Sequence, residues 1–181
     1  MRFLWPIRCL ALTVPLLAEA SEPWVAEGMA LIPPFQQQLM GTVKAAMSKG
    51  GPQDAVQACQ LLAPQITNQH SSGAWQVGRT ALRVRNPDNA ADAWERAVLE
   101  QFEERAAAGE RLDTMWQAEQ VGSEWRLMKA IPTAKACLAC HGKEIDPPLA
   151  ALIDQKYPQD QATGFSAGEL RGAFTLRRAA D

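Results

Sequence analysis

The chain has 181 residues, 47% of them hydrophobic and 21% charged, with a formal net charge of −2. That length and composition suit one globular domain and exclude a collagen-like or largely disordered chain. The weak negative charge excludes a basic nucleic-acid binder held by phosphate contacts. Four cysteines and two histidines are present, so the placement of these scarce residues carries the most chemical information.

Residues 1–20 read as a secretory signal peptide. Arg2 and Arg8 give a positive start, residues 9–18 are almost wholly apolar but too short to span a bilayer, and Ala18-Glu19-Ala20 offers the small residues that a signal peptidase reads. The expectation is export to the periplasm, leaving residues 21–181 as one soluble domain with no membrane span. Cys9 lies too far upstream of the cleavage site to be a lipoprotein cysteine. Cleavage leaves Cys59, Cys137 and Cys140, an odd number that asks for a reason in an exported protein.

Residues 24–32 form a short apolar lead-in closed by Pro33-Pro34. From there Phe35, Leu39, Val43 and Met47 recur every four residues, one side of an amphipathic helix that Gly50-Gly51 ends. Pro52 suits the first turn of a second helix, with Ala55, Val56, Cys59, Leu62, Ala63 and Ile66 on one stripe and a kink or stop near Pro64. Residues 71–88, rich in Ser, Gly, Arg and Asn, read as loop. A third helix is expected from Asp88 or Asn89, either of which can cap it, with Trp94, Val98 and Phe102 inward and Gly109 at its end.

The apolar period then falls from about four to two. Residues 114–121 and 124–131 flank Gly122-Ser123, a loop that suits a tight hairpin. With Val121 opposite Glu124, the residues Trp116, Ala118, Trp125, Leu127 and Ile131 share one face. Glu119 then lies across from Arg126, a mildly favourable charge pair. Residues 149–156 suit a short helix. Leu170, Gly172, Phe174 and Leu176 alternate with Arg171, Ala173, Thr175 and Arg177, which predicts a further strand. Helices, then a hairpin, a cysteine-bearing loop and another strand make an α+β domain with a small antiparallel sheet.

The cysteine-bearing loop reads Cys137-Leu138-Ala139-Cys140-His141, the C-x-x-C-H attachment sequence for c-type haem. Two thiols three positions apart can reach the two vinyl groups on one side of a porphyrin, and the adjacent imidazole becomes an axial ligand of the iron. A thioredoxin-like dithiol belongs at a helix start in a βαβ setting. A structural zinc site wants a fourth ligand, for which only Cys59 and His70 remain. A plain disulfide leaves His141 unexplained. The sequence therefore points to one covalent haem c held by Cys137 and Cys140, with His141 on the iron and haem-attachment machinery as a maturation partner.

The second axial position has several candidates. Met29, Met40, Met47, Met115 and Met128 lie in apolar patterns and read as core. His70, in a polar stretch, reads as an exposed histidine near a helix end. Cys59 reads equally as a small buried hydrophobe or as a ligand whose thiolate would donate electron density to ferric iron and lower its midpoint potential. Arg79, Arg83 and Arg85 precede the third helix. Arg79 first, then Arg83, are candidates to hold haem propionates by charge-assisted hydrogen bonds, the alternative being a solvated basic loop. Arg171, inside Gly168-x-x-x-Gly172, reads as structural.

Three segments together resemble a family: Val77-Gly78-Arg79-Thr80 through Arg85-Asn86-Pro87-Asp88-Asn89-Ala90, then Cys137 to His141 with Gly142, then Tyr157-Pro158, Asp160 and Ala162-Thr163-Gly164 through Gly168-Glu169-Leu170-Arg171-Gly172-Ala173-Phe174. The chain resembles the bacterial and cyanobacterial single-haem c-type domains with a PAS-like fold, which occur alone or as the extracytoplasmic sensing part of histidine kinases. The resemblance implies a haem enclosed between N-terminal helices and the sheet, with His141 and Cys59 as its two axial ligands. It implies a redox or small-ligand responsive module, answering to a redox partner protein or to a diatomic ligand that displaces Cys59. Unlike sensor-kinase members, these 181 residues carry no output domain. A periplasmic electron carrier is the second expectation. A peroxidase-type enzyme ranks last, because that chemistry needs an open iron and distal acid–base groups and only His70 is spare.

Overall fold

The computed structural model describes residues 22–71 and 73–180, and the expected signal peptide lies outside the described residues. The first helix, α1 (Pro23–Leu61), begins earlier than its apolar period suggests and runs straight through Pro33-Pro34, where the sequence predicts a stop. Both prolines are exposed, so water can take the carbonyls they leave unpaired. The break comes at Gly50 and Gly51, as expected: φ is −142° and +73°, and the chain turns there before resuming at Pro52. The first segment of α1 buries Trp24, Val25, Ile32, Phe35 and Leu39, after which it runs on past the core. Met40 and Met47 are therefore exposed rather than packed. The second segment buries Ala55, Val56 and Ala58. α2 (Ala63–His70) follows with Pro64 in its first turn, so the stop near Pro64 is a handover between helices. Leu62 sits in that joint and is exposed, against the inward place its stripe suggests.

Four strands form one antiparallel sheet in the order β1-β4-β3-β2. They are β1 (Gln76–Thr80), β2 (Trp116–Val121), β3 (Glu124–Pro132) and β4 (Leu170–Ala179). The β2–β3 hairpin has the predicted register, Val121 opposite Glu124 and Glu119 opposite Arg126, and Gly122 turns it at φ +60°. The expected Glu119–Arg126 pair does not form. Arg126 reaches Asp92 at 2.7 Å and Glu95 at 3.2 Å, while Glu119 accepts the Trp94 indole N–H at 2.8 Å. A helix lying on this face offers each side chain a better partner than the neighbouring strand does.

β1 is a strand where the sequence reads loop. Its five residues hold a single aliphatic side chain, Val77, so no alternation announces it. Pairing with β4, from Gln76 opposite Arg177 to Thr80 opposite Ala173, makes it a strand. Gly172 permits that approach, since a Cβ there would lie 2.4 Å from the Thr80 carbonyl oxygen.

The sheet is covered on both faces. On one, Val77, Leu127, Phe174 and Leu176 pack with Phe35, Leu39, Ile66 and Trp75. On the other, Met128, Ala130 and Ala173 pack with Val98, Leu99 and Phe102 of α3 (Ala93–Ala107). α3 starts at Asp92, not at Asp88 or Asn89. Asp92 accepts the Glu95 backbone N–H at 2.9 Å and Glu95 accepts that of Asp92 at 3.0 Å, a complete capping box. The earlier Pro87–Asn89 is a separate single turn capped by Asn86. Gly109, φ +94°, follows the end of α3 as predicted. The short α4 (Leu138–His141) and α5 (Pro147–Lys156) complete an α+β domain of N-terminal helices and a small antiparallel sheet. Among the described residues no helix is long and apolar enough to cross a membrane.

Candidate functional site

A tight turn over Lys135–Cys137 leads into the single turn of α4, which winds the C-x-x-C-H segment. Cys137 and Cys140 are free, half-buried thiols. Gly142 lets the chain leave this turn: a Cβ there would lie 2.5 Å from the Leu138 carbonyl oxygen. Beyond it the segment is tied to the loop before β4. The Gly164 N–H donates to Gly142 O at 2.9 Å and the Phe165 N–H to His141 O at 3.0 Å.

The His141 ring is held as firmly as its backbone. Nδ1 lies 2.6 Å from the Ala162 carbonyl oxygen, which can only accept, so Nδ1 carries the hydrogen. Nε2 then keeps its lone pair, the form in which imidazole binds a metal. Burial pushes the imidazole pKa down to about 3, with the charges of Arg171 and Arg85 adding to the shift, so the ring is neutral near pH 7. Phe165 stands edge-on to it, ring centroids 6.5 Å apart.

Cys59 shares this neighbourhood from the second segment of α1. Burial raises its thiol pKa, and the charges of Arg79, Arg85 and Arg171 pull against that rise. Burial also raises the Cys140 thiol and carries Tyr157 up to about 12, and Cys59 adds to both shifts. Arg79 lies on β1 opposite Phe174, half-buried. Burial lowers its pKa, Cys59 and Tyr157 oppose that, and no acid among the described residues pairs with it. The fold thus brings together Cys59, Arg79, Cys137, Cys140 and His141 from three distant stretches of sequence.

Arg83 stands apart. It donates to Thr163 O at 2.9 Å, lies 3.7 Å over the Phe165 ring and reaches Glu169 at 4.0 Å. It is exposed and is not among the charges bearing on Cys59 or His141. His70 is also elsewhere, its Nε2 2.7 Å from the Gln38 side-chain oxygen and its ring against Phe35. Met115 and Met128 are fully buried core residues on the α3 face.

The sequence gives no sign of the pair that fastens the motif. Arg85 donates through Nε to Asp160 Oδ2 at 3.0 Å and through Nη2 to the Cys140 carbonyl at 2.6 Å. The two side chains are 11% and 5% exposed. Seventy-five residues separate them, so no local pattern could link them.

The donor set suits a covalently attached haem. It offers two free thiols at the attachment spacing, a neutral imidazole with Nε2 unprotonated, a third thiol close by, and a shielded cation lacking an acid. The chain matches the Tll0287-like family over residues 19–178. It belongs to that family. Among solved structures it is similar to the cyanobacterial haem protein Tll0287, with a TM-score of 0.59 and 25% identity over 84% of this chain and 95% of that one. No curated protein matches it. The Tll0287-like assignment bears out the family resemblance and the α+β class read from the sequence.

Proposed function

We propose that the chain is an exported, periplasmic haem c protein that acts as a redox or small-ligand responsive module. The observation that carries this reading is the presentation of His141: a neutral ring, Nδ1 tied to Ala162, beside two free thiols at haem-attachment spacing. That the similar Tll0287 is a haem protein supports it.

Each chain group has a task in this reading. Cys137 and Cys140 would hold the haem as thioethers, each S–H adding across one vinyl group, sulfur to one carbon and hydrogen to the other, so that no oxidant would be needed. His141 would hold the iron through Nε2. Cys59 would be the second protein ligand, and bound as a thiolate it would favour the oxidised state and a low midpoint potential. Arg79, lacking an acid of its own, would hold an anionic propionate by a charge-assisted bond. Once bound, the haem supplies one-electron chemistry and a metal site for a diatomic ligand.

Absorption spectra of the full chain matured with haem-attachment machinery test the reading. A six-coordinate, low-spin ferric spectrum is expected, altered sharply by Cys59→Ala and untouched by His70→Ala. A high-spin resting spectrum, or one that responds to His70→Ala instead, contradicts it.

A further inference from the structure

The buried Arg85–Asp160 pair does more than join two loops. Asp160 Oδ1 accepts the Ala162 backbone N–H at 2.8 Å, while Oδ2 receives Arg85. Ala162 is completely buried, and its carbonyl is the one that faces His141 Nδ1. Arg85 in turn grips the Cys140 carbonyl, one residue before His141. One carboxylate thus fixes the residue that orients the imidazole, and its guanidinium partner fixes the turn that carries it. The same loop is pinned from behind, where the Gln161 N–H donates to Val84 O at 2.9 Å.

A buried ion pair is a poor device for stability alone, because desolvating both charges cancels most of their attraction. It is a good device for direction, because every lone pair and N–H it uses must point to a set partner. Groups that hydrogen-bond the outer nitrogen of a ligating histidine set its tautomer, its orientation and its basicity. Here that group is a backbone carbonyl, and its own placement depends on Asp160.

We propose that Asp160, braced by Arg85, is the positioning residue for His141: it sets the Ala162 carbonyl so that the imidazole presents Nε2 to the iron. This rests on the haem reading above. It assigns a role to a carboxylate that touches neither the imidazole nor the thiols.

The test uses the full chain in both haem-loaded and haem-free forms, as wild type, Asp160→Asn and Asp160→Ala. In the loaded protein an upward shift of the midpoint potential and altered ferric electron-paramagnetic-resonance g values are expected in both variants. The reason is that a loosened Nδ1–H bond makes His141 a weaker donor. In the haem-free chain, imidazole 15N shifts should show His141 protonated on Nδ1 in the wild type and a mixture of tautomers in the variants. Loaded variants with wild-type potential and g values overturn the proposal. So does an unchanged tautomer in the haem-free variants, which decides the matter should neither variant load. A wild-type chain that gains no haem mass sinks the haem reading instead, and the tautomer measurement still judges Asp160.

Discussion

The two faces of the sheet each shield an arginine from water, and they treat it in opposite ways. On the α3 face Arg126, 6% exposed, is met by Asp92 and Glu95, and Glu95 also accepts the Thr175 hydroxyl at 2.7 Å. On the α1 face Arg79 has no acid partner among the described residues: Cys59 and Tyr157 oppose the fall in its pKa, and the nearby Arg171 is a second cation rather than a counter-charge. A cation taken out of water costs free energy unless an anion compensates it. The α3 face has compensated its charge within the chain and is scaffold. The α1 face leaves the compensation to something else, and Cys59, Cys140 and His141 lie where that something would sit.

The largest expected effect belongs to the scaffold. Arg126→Met strands the buried Glu95 carboxylate and should lower the stability of the haem-free chain by about 3 kcal/mol, read as a shift in the urea midpoint. It should leave the ferric spectrum of the loaded protein unchanged. A spectral change would mean that the two faces are not independent.

Acid should separate the faces next. The folded His141 stays neutral down to about pH 3, whereas an unfolded imidazole takes a proton near 6.5. The unfolded state therefore binds the extra proton between those values, and haem-free stability falls as pH drops from about 6.5 towards 3. His141→Ala should remove that part of the slope. On the α3 face burial pushes the Asp92 pKa up, but the Arg126 hydrogen bond and the helix cap outweigh it and hold the carboxyl below 3.8. Its contribution is complete above 3.8 and is lost only below that. Urea titrations at stepped pH check both. The Glu110 and Glu169 carboxyls, held below 4.5, add a slope of their own near and below that value, so the decisive window lies above about pH 5.5, and a slope there that survives His141→Ala contradicts the assignment.

The smallest effect is the most discriminating. Arg79→Met should cost the haem-free chain nothing and can raise its stability by up to about 1 kcal/mol, because an uncompensated charge leaves the interior. The same change should shrink the gain in thermal midpoint on haem loading. Equal gains in wild type and variant would remove Arg79 from the site.

How far the sequence reveals this depends on how local each feature is. The hairpin is legible because a two-residue glycine turn sets its register within a few positions. The attachment motif is legible for the same reason, with both thiols and the imidazole inside five residues. β1 is not, because a five-residue edge strand with one aliphatic side chain exists only by pairing with β4, about a hundred residues later. The α3 cap is ambiguous in sequence, since Asn86, Asp88, Asn89 and Asp92 all suit a helix start and only geometry shows Asp92 closing the box. Arg126 and Glu119 mark the register correctly yet bond to other residues, because α3 covers that face. Asp160 looks like an ordinary loop acid until the fold sets it against Arg85 and Ala162.

Whether haem is bonded to Cys137 and Cys140 is decided by the intact mass of the full chain, purified after co-production with haem-attachment machinery and then extracted with acid acetone. The expected result is a gain of one haem that survives extraction and vanishes when both Cys137 and Cys140 are replaced by alanine. A chain of unmodified mass, or one whose pigment leaves with the solvent, contradicts it.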